Sequence, residues 1–135
     1  MILFVDDESF RAKTYVEELE FCDFAVVLEP SVDRALNLMQ ENGHEVDLLI
    51  LDIMMDPGLA FMNEDTAQGL RTGLRFFERI REPFPSLPII MLTNVSTREI
   101  ETSVTSQPKV LVLNKTQTLP YELADHVRQI LTGAD

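Results

Sequence analysis

Five residues of this chain have types and positions that can do chemistry together: Asp6, Asp7, Asp52, Thr93 and Lys115. Each follows closely on a short apolar run. Ile2 to Val5 precedes the acid pair, and Val46 to Leu51 precedes Asp52. Ile89 to Leu92 precedes Thr93, and Val110 to Leu113 precedes Asn114-Lys115. Laid side by side, these runs would gather three carboxylates, a hydroxyl and an ammonium on one edge. Like charges a few ångströms apart raise each other's pKa, so three acids call for a cation. Lys115 is one, and a divalent metal supplies more charge. Oxygen-only ligation with few carboxylates suits Mg2+, and the edge has no Cys or His to favour zinc. A carboxylate beside Mg2+, a lysine and a hydroxyl fits phosphoryl transfer to an aspartate. Asp52 would be the nucleophile. The metal and Lys115 would neutralise the phosphoryl oxygens, and Thr93 would donate a hydrogen bond to one. A metal-dependent phosphatase fits less well, because the position two after Asp52, where a general acid would be wanted, is Met54. Singly, each residue has an ordinary role: Asp6 or Asp7 can cap a helix, Asp52 can form a turn, and Thr93 and Lys115 can be structural or solvated. Their joint order carries the argument.

The elements that must position these residues alternate along the chain. A strand over Ile2 to Val5 is followed by a helix from about Glu8 to Cys22, with the stripe Ala12, Tyr15, Val16, Leu19 and Cys22. Phe24 to Leu28 reads as the second strand. Pro30-Ser31 opens a helix carrying Val32, Ala35, Leu36 and Met39, stopped at Asn42-Gly43. Val46 to Leu51 is the third strand, too short for a typical helix and ending in a carboxylate. From Ile53 to Thr72 the chain is irregular, with an apolar patch Leu59 to Met62, before a helix over Leu74 to Arg81. An earlier start is compatible with Ala67, Leu70, Leu74 and Phe77, but Gly69 and Gly73 would each cost about 1 kcal/mol inside a helix. Pro83 and Pro85 close it. Ile89 to Leu92 is the fourth strand. Ser96 and Glu99 form a capping box before a helix poor in apolar residues, expected to be weakly docked. Val110 to Leu113 is the fifth strand, and Pro120 at the first position of the last helix leads the stripe Leu123, Ala124, Val127, Ile130 and Leu131.

Five such units predict an α/β fold. The sheet would be doubly wound, five-stranded and parallel, in the flavodoxin-like order 2-1-3-4-5 with helices on both faces. The 135 residues read as a single domain with a long insertion at about 53–72. In such sheets ligands bind at the C-terminal ends of the strands, where all five residues fall.

Composition limits the partners. A net charge of −12 argues against gripping nucleic acid or an anionic membrane. The lone Cys22 excludes an internal disulfide and reads as core, in a reducing compartment. No run spans a membrane, and the start lacks a signal peptide's basic region, so the cytoplasm is expected. Phe10, Phe76, Phe77 and Phe84 read as core or cover, and His44 and His126 as surface groups.

In these marks the chain resembles the receiver (CheY-like) domain of two-component response regulators over almost its whole length. The marks are Asp6-Asp7, Asp52 in Leu-Asp-Ile-Met-Met, Thr93 in Met-Leu-Thr-Asn, and Lys115 after the fifth strand. The resemblance implies that Asp52 is the phospho-acceptor. The donor would be a histidine kinase or phosphotransfer protein. Asp6, Asp7, Asp52 and the backbone carbonyl of Met54 would hold Mg2+. It implies a phosphorylation switch acting on an output protein or domain, rather than a turnover enzyme, though able to catalyse its own phosphorylation and dephosphorylation. The chain ends soon after its last helix, which suits a stand-alone receiver or a piece of a longer protein.

Four departures from the family pattern support an alternative, a receiver-fold interaction module that no longer switches. Asn94 stands where a small residue is usual and would narrow the pocket. Thr116 replaces the usual proline, and Val112 replaces the aromatic that swings inward on activation. The passage after Asp52 is also longer than usual by roughly a dozen residues, and long irregular loops are commonly functional. It is expected to control access to Asp52 or to contact a partner, with Phe61 and Met62 packed against the site's rim or that partner.

Overall fold

The computed structural model describes residues 1–69, 71–94 and 109–133. Its strands are β1 (Ile2–Val5), β2 (Val26–Glu29), β3 (Leu48–Leu51), β4 (Ile89–Thr93) and β5 (Val110–Asn114). All pair parallel in the order β2-β1-β3-β4-β5, the doubly wound arrangement expected. The described helices are α1 (Ser9–Phe21), α2 (Val32–Asn42), α3 (Thr72–Arg81) and α4 (Pro120–Thr132).

Alternate strand residues feed opposite faces, which is why runs apolar throughout are needed. Leu3, Val5, Leu49, Leu51, Ile89 and Met91 pack toward α2 and α3 with Val32, Met39, Phe76 and Ile80. Ile2, Phe4, Leu48, Ile50, Ile90 and Leu92 pack toward α1 and α4 with Val16, Leu19, Leu123 and Val127. Fully burying one such side chain contributes about 1.5–3 kcal/mol. The inner strands β1, β3 and β4 are buried throughout. The edge strands β2 and β5 are mostly half-buried.

Several boundaries differ from the sequence reading. β2 begins at Val26, because Asp23 takes a left-handed φ of 69° and Phe24 donates back to the Leu19 carbonyl, so both belong to the turn after α1. Ser31 caps α2 by accepting from the Arg34 N–H. α3 does not start early, since Ala67, Gln68 and Gly69 all have positive φ, which no right-handed helix admits. Pro120 is the first residue of α4, and the Glu122 side chain accepts from the Leu119 N–H. Phe10, expected as core or cover, is 91% exposed, while Phe76 and Phe77 are buried. The Ser96–Glu99 capping box, the helix after it and Leu70 lie outside the described residues. No helix among the described residues is long and apolar enough to cross a membrane.

Candidate functional site

Parallel pairing places Val5 opposite Leu51, and on each strand the next residue is an acid. Asp52 N–H donates to the Val5 carbonyl at 3.0 Å and Asp6 N–H to the Glu29 carbonyl at 3.2 Å, so the two acids leave the sheet as neighbours. Asp6 is fully buried, Asp52 is 3% exposed and Asp7 faces solvent. One oxygen from each of Asp6, Asp7 and Asp52 lies within 4.8 Å of the other two. Lys115, just beyond β5, reaches back over this edge. Its Nζ donates to Asp6 Oδ2 at 2.6 Å and to Asp52 Oδ2 at 3.0 Å.

The remaining bonds orient the acids. Asp6 Oδ1 accepts the Glu8 N–H at 2.9 Å, so Asp6 combines its ion pair with a role at the entry to α1. Asp52 Oδ1 accepts its neighbour Ile53 N–H at 2.7 Å, and Asp7 Oδ2 accepts the Asp56 N–H at 3.0 Å. Burial raises the Asp52 carboxyl above its ordinary value; the Lys115 charge opposes this and the Asp6 charge adds to it. For Lys115, burial favours the neutral amine, but hydrogen bonding to Asp6 and the charges of Asp52 and Asp6 win and raise it. The ammonium is held charged, while burial disfavours the ionised form of Asp52.

Thr93 ends β4 fully buried, paired in register with Asn114, the residue before Lys115. Met54 is partly exposed on an open groove of about 450 Å3 shared with Asp7, Asp56 and Gln68. His44 is exposed and His126 half-buried on α4. Asn94 is exposed, the Lys115–Thr116 peptide is trans, and Val112 is half-buried against the α2/α3 side of the core.

The 53–72 passage is ordered by specific contacts. Asp33 on α2 accepts the Leu59 and Ala60 N–H groups at 2.9 and 2.7 Å, holding the turn there. The Met55 N–H donates to Gly69, and Thr72 Oγ1 donates to the Met55 carbonyl. Phe61 and Met62 do not act together. Phe61 is 0% exposed against Phe76 with the Arg79 guanidinium over its ring, whereas Met62 is 63% and Leu59 77% exposed. Arg79 also pairs with Glu64. The expectation that both residues pack on a rim is corrected for Phe61, which is core.

Two positioning residues escaped the sequence reading. Gly73 packs on the Asp52–Ile53 backbone itself: a Cβ there would collide with the Asp52 carbonyl oxygen and the Ile53 Cα. A glycine beside the first turn of a helix, directly after a long insertion, was the available signal for close backbone approach. Tyr15, which lies in the apolar stripe of α1, aims its hydroxyl at the turn bearing Lys115.

The model of the response regulator receiver domain family matches residues 2–128. Among solved structures, the receiver domain of the Francisella response regulator 1452 is 19% identical with a TM-score of 0.76, covering 99% of this chain and 98% of its own. A CheY-like receiver domain protein from Methanospirillum hungatei JF-1 is 20% identical with a TM-score of 0.74, covering 98% and 93%. The Vibrio cholerae chemotaxis protein CheY4 is 22% identical with a TM-score of 0.75, covering 96% and 97%. Among curated proteins, none matches significantly.

Proposed function

This chain belongs to the response regulator receiver domain family, and from that premise we propose that Asp52 accepts a phosphoryl group from a histidine kinase or phosphotransfer protein. The observation that carries the reading is Lys115 Nζ bridging Asp6 and Asp52 beside a third carboxylate. One ammonium faces three acids, and all the donors are oxygen, which fits a site for Mg2+. Asp6, Asp7, Asp52 and the backbone carbonyl of Met54 would hold it, with Asp7 steadied by the Asp56 N–H. Bound there, Mg2+ would screen the acids and draw charge from the phosphoryl oxygens.

In the transfer, an Asp52 carboxylate oxygen forms the bond to phosphorus. The bond from phosphorus to the donor's leaving group breaks, and that group departs with the electron pair. Lys115 turns from the acids to the phosphoryl oxygens, where its charge is worth most in the transition state. Thr93 donates its hydroxyl to one of them. The phosphorylated domain then differs from the free one in what Lys115 and Thr93 contact, and this difference shifts its population toward a state read by an output partner.

Incubation with Mg2+ and acetyl phosphate, read by intact mass, tests the proposal. The wild type gains one phosphoryl group; Asp52→Asn and the wild type with excess chelator gain none. Equal labelling of wild type and Asp52→Asn would remove Asp52 as the acceptor.

A further inference from the structure

Thr116 leaves the corner after β5 without the proline expected there, so something else must fix the backbone that presents Lys115. Lysine has a long flexible stem, and a fixed Nζ position needs a fixed root. The corner is a short 3-10 turn, Lys115–Gln117, closed internally by Asn114 Oδ1, which accepts the Thr116 N–H at 2.8 Å and the Thr116 hydroxyl. Those bonds shape the turn but tie it to nothing else. The tie comes from α1: the Tyr15 hydroxyl shares its one proton between the Thr118 carbonyl at 2.8 Å and the Lys115 carbonyl at 3.1 Å, bracketing the turn. The same helix follows the acid pair at its N-terminus, where Asp6 accepts the Glu8 N–H. α1 therefore joins the acids and the root of the lysine through one rigid element, and the Tyr15 ring packs 6.4 Å from Phe4 on β1.

We infer that Tyr15 is a positioning residue for Lys115, its hydroxyl holding the post-β5 turn so that Nζ spans Asp6 and Asp52. This rests on the phospho-acceptor reading for its catalytic consequence but not for its structural one. Tyr15→Phe removes one oxygen and keeps the ring, so the fold is retained. Two readouts follow. The Lys115 ammonium signal in 15N NMR is sharp and slowly exchanging in the wild type, and broadens or averages in Tyr15→Phe. Labelling by acetyl phosphate at saturating Mg2+ slows about tenfold in its maximal rate, as misplacement of a charge-stabilising group does, with little change in the donor concentration needed. A Tyr15→Phe protein with the wild-type ammonium signal and the wild-type maximal rate overturns the inference. If the wild type takes no phosphoryl group at all, the phospho-acceptor reading fails, and the ammonium signal still decides for or against Tyr15.

Discussion

The two walls flanking Asp52 are built in opposite ways. The insertion side, from Ile53 to Gly73, contributes no charged side chain to the Lys115 bridge, yet it is anchored like a core. Phe61 is planted against Phe76 under Arg79, Asp33 holds its turn, and Gly73 presses on the Asp52–Ile53 backbone. The lysine side carries the cation of the site but is secured by Asn114 within its turn and by the shared proton of Tyr15. Burial spread over many contacts makes the first wall resistant and costly to disturb. The second, held by a few polar contacts, can be altered with little loss of stability, so function and folding separate there. Under the proposed transfer Lys115 turns from carboxylates to a phosphoryl group, and such a mount suits that movement.

The contrast is tested most strongly at Phe61. Phe61→Ala should cost about 3–5 kcal/mol, because a fully buried ring leaves a cavity, and denaturant unfolding would show it. A cost near zero would mean the insertion is not anchored in the core. Next is Gly73→Ala, where the added methyl meets backbone that cannot move aside cheaply; overpacking of this kind costs about 1–3 kcal/mol. It should also slow labelling of Asp52, because the displaced atoms belong to Asp52 itself. Loss of stability with an unchanged labelling rate would show that Gly73 supports the fold alone.

A smaller effect is expected at Asp52 itself. Its folded pKa is raised, so the folded state binds the proton more readily than the unfolded chain. Stability from this group is then lost as pH rises from the ordinary value of 3.8 through the raised one. Without metal, Asp52→Asn should melt above wild type at pH 7, the difference closing toward pH 4 in thermal scans. Lys115 sets the opposite limb: its raised pKa keeps its contribution intact below 10.5 and loses it as pH rises through the folded value. The smallest effect belongs to Met62→Ser. An exposed side chain should change stability by less than about 0.5 kcal/mol, and any change in kinase binding with labelling intact would mark the insertion's tip as a partner contact.

How much of this was readable from the chain depended on the range of the forces involved. The parallel sheet and the gathering of Asp6, Asp7, Asp52 and Lys115 are legible in apolar runs that each stop at a polar residue, while the order 2-1-3-4-5 is one of the few that right-handed crossovers allow. The insertion was opaque because its shape depends on Asp33, 26 residues before Leu59, and on left-handed Ala67 and Gln68, which neither propensity nor periodicity signals. Phe61 and Met62 are neighbours of similar hydropathy, and only tertiary packing sends one inward. Tyr15 hid in a helical stripe because a stripe reports which face is buried and is silent on where a hydroxyl points. Phe10 was misjudged for the converse reason: a large apolar residue at a helix start need not find a core.

Mapping the modified residue tests the account most directly. Sodium borohydride reduces an aspartyl phosphate to homoserine, so protein treated with Mg2+ and acetyl phosphate can be reduced, digested and sequenced by mass spectrometry. The account predicts homoserine at position 52, and none there when Mg2+ is chelated. Homoserine at position 6, 7 or 56 in place of 52, or labelling that proceeds equally without Mg2+, would contradict it.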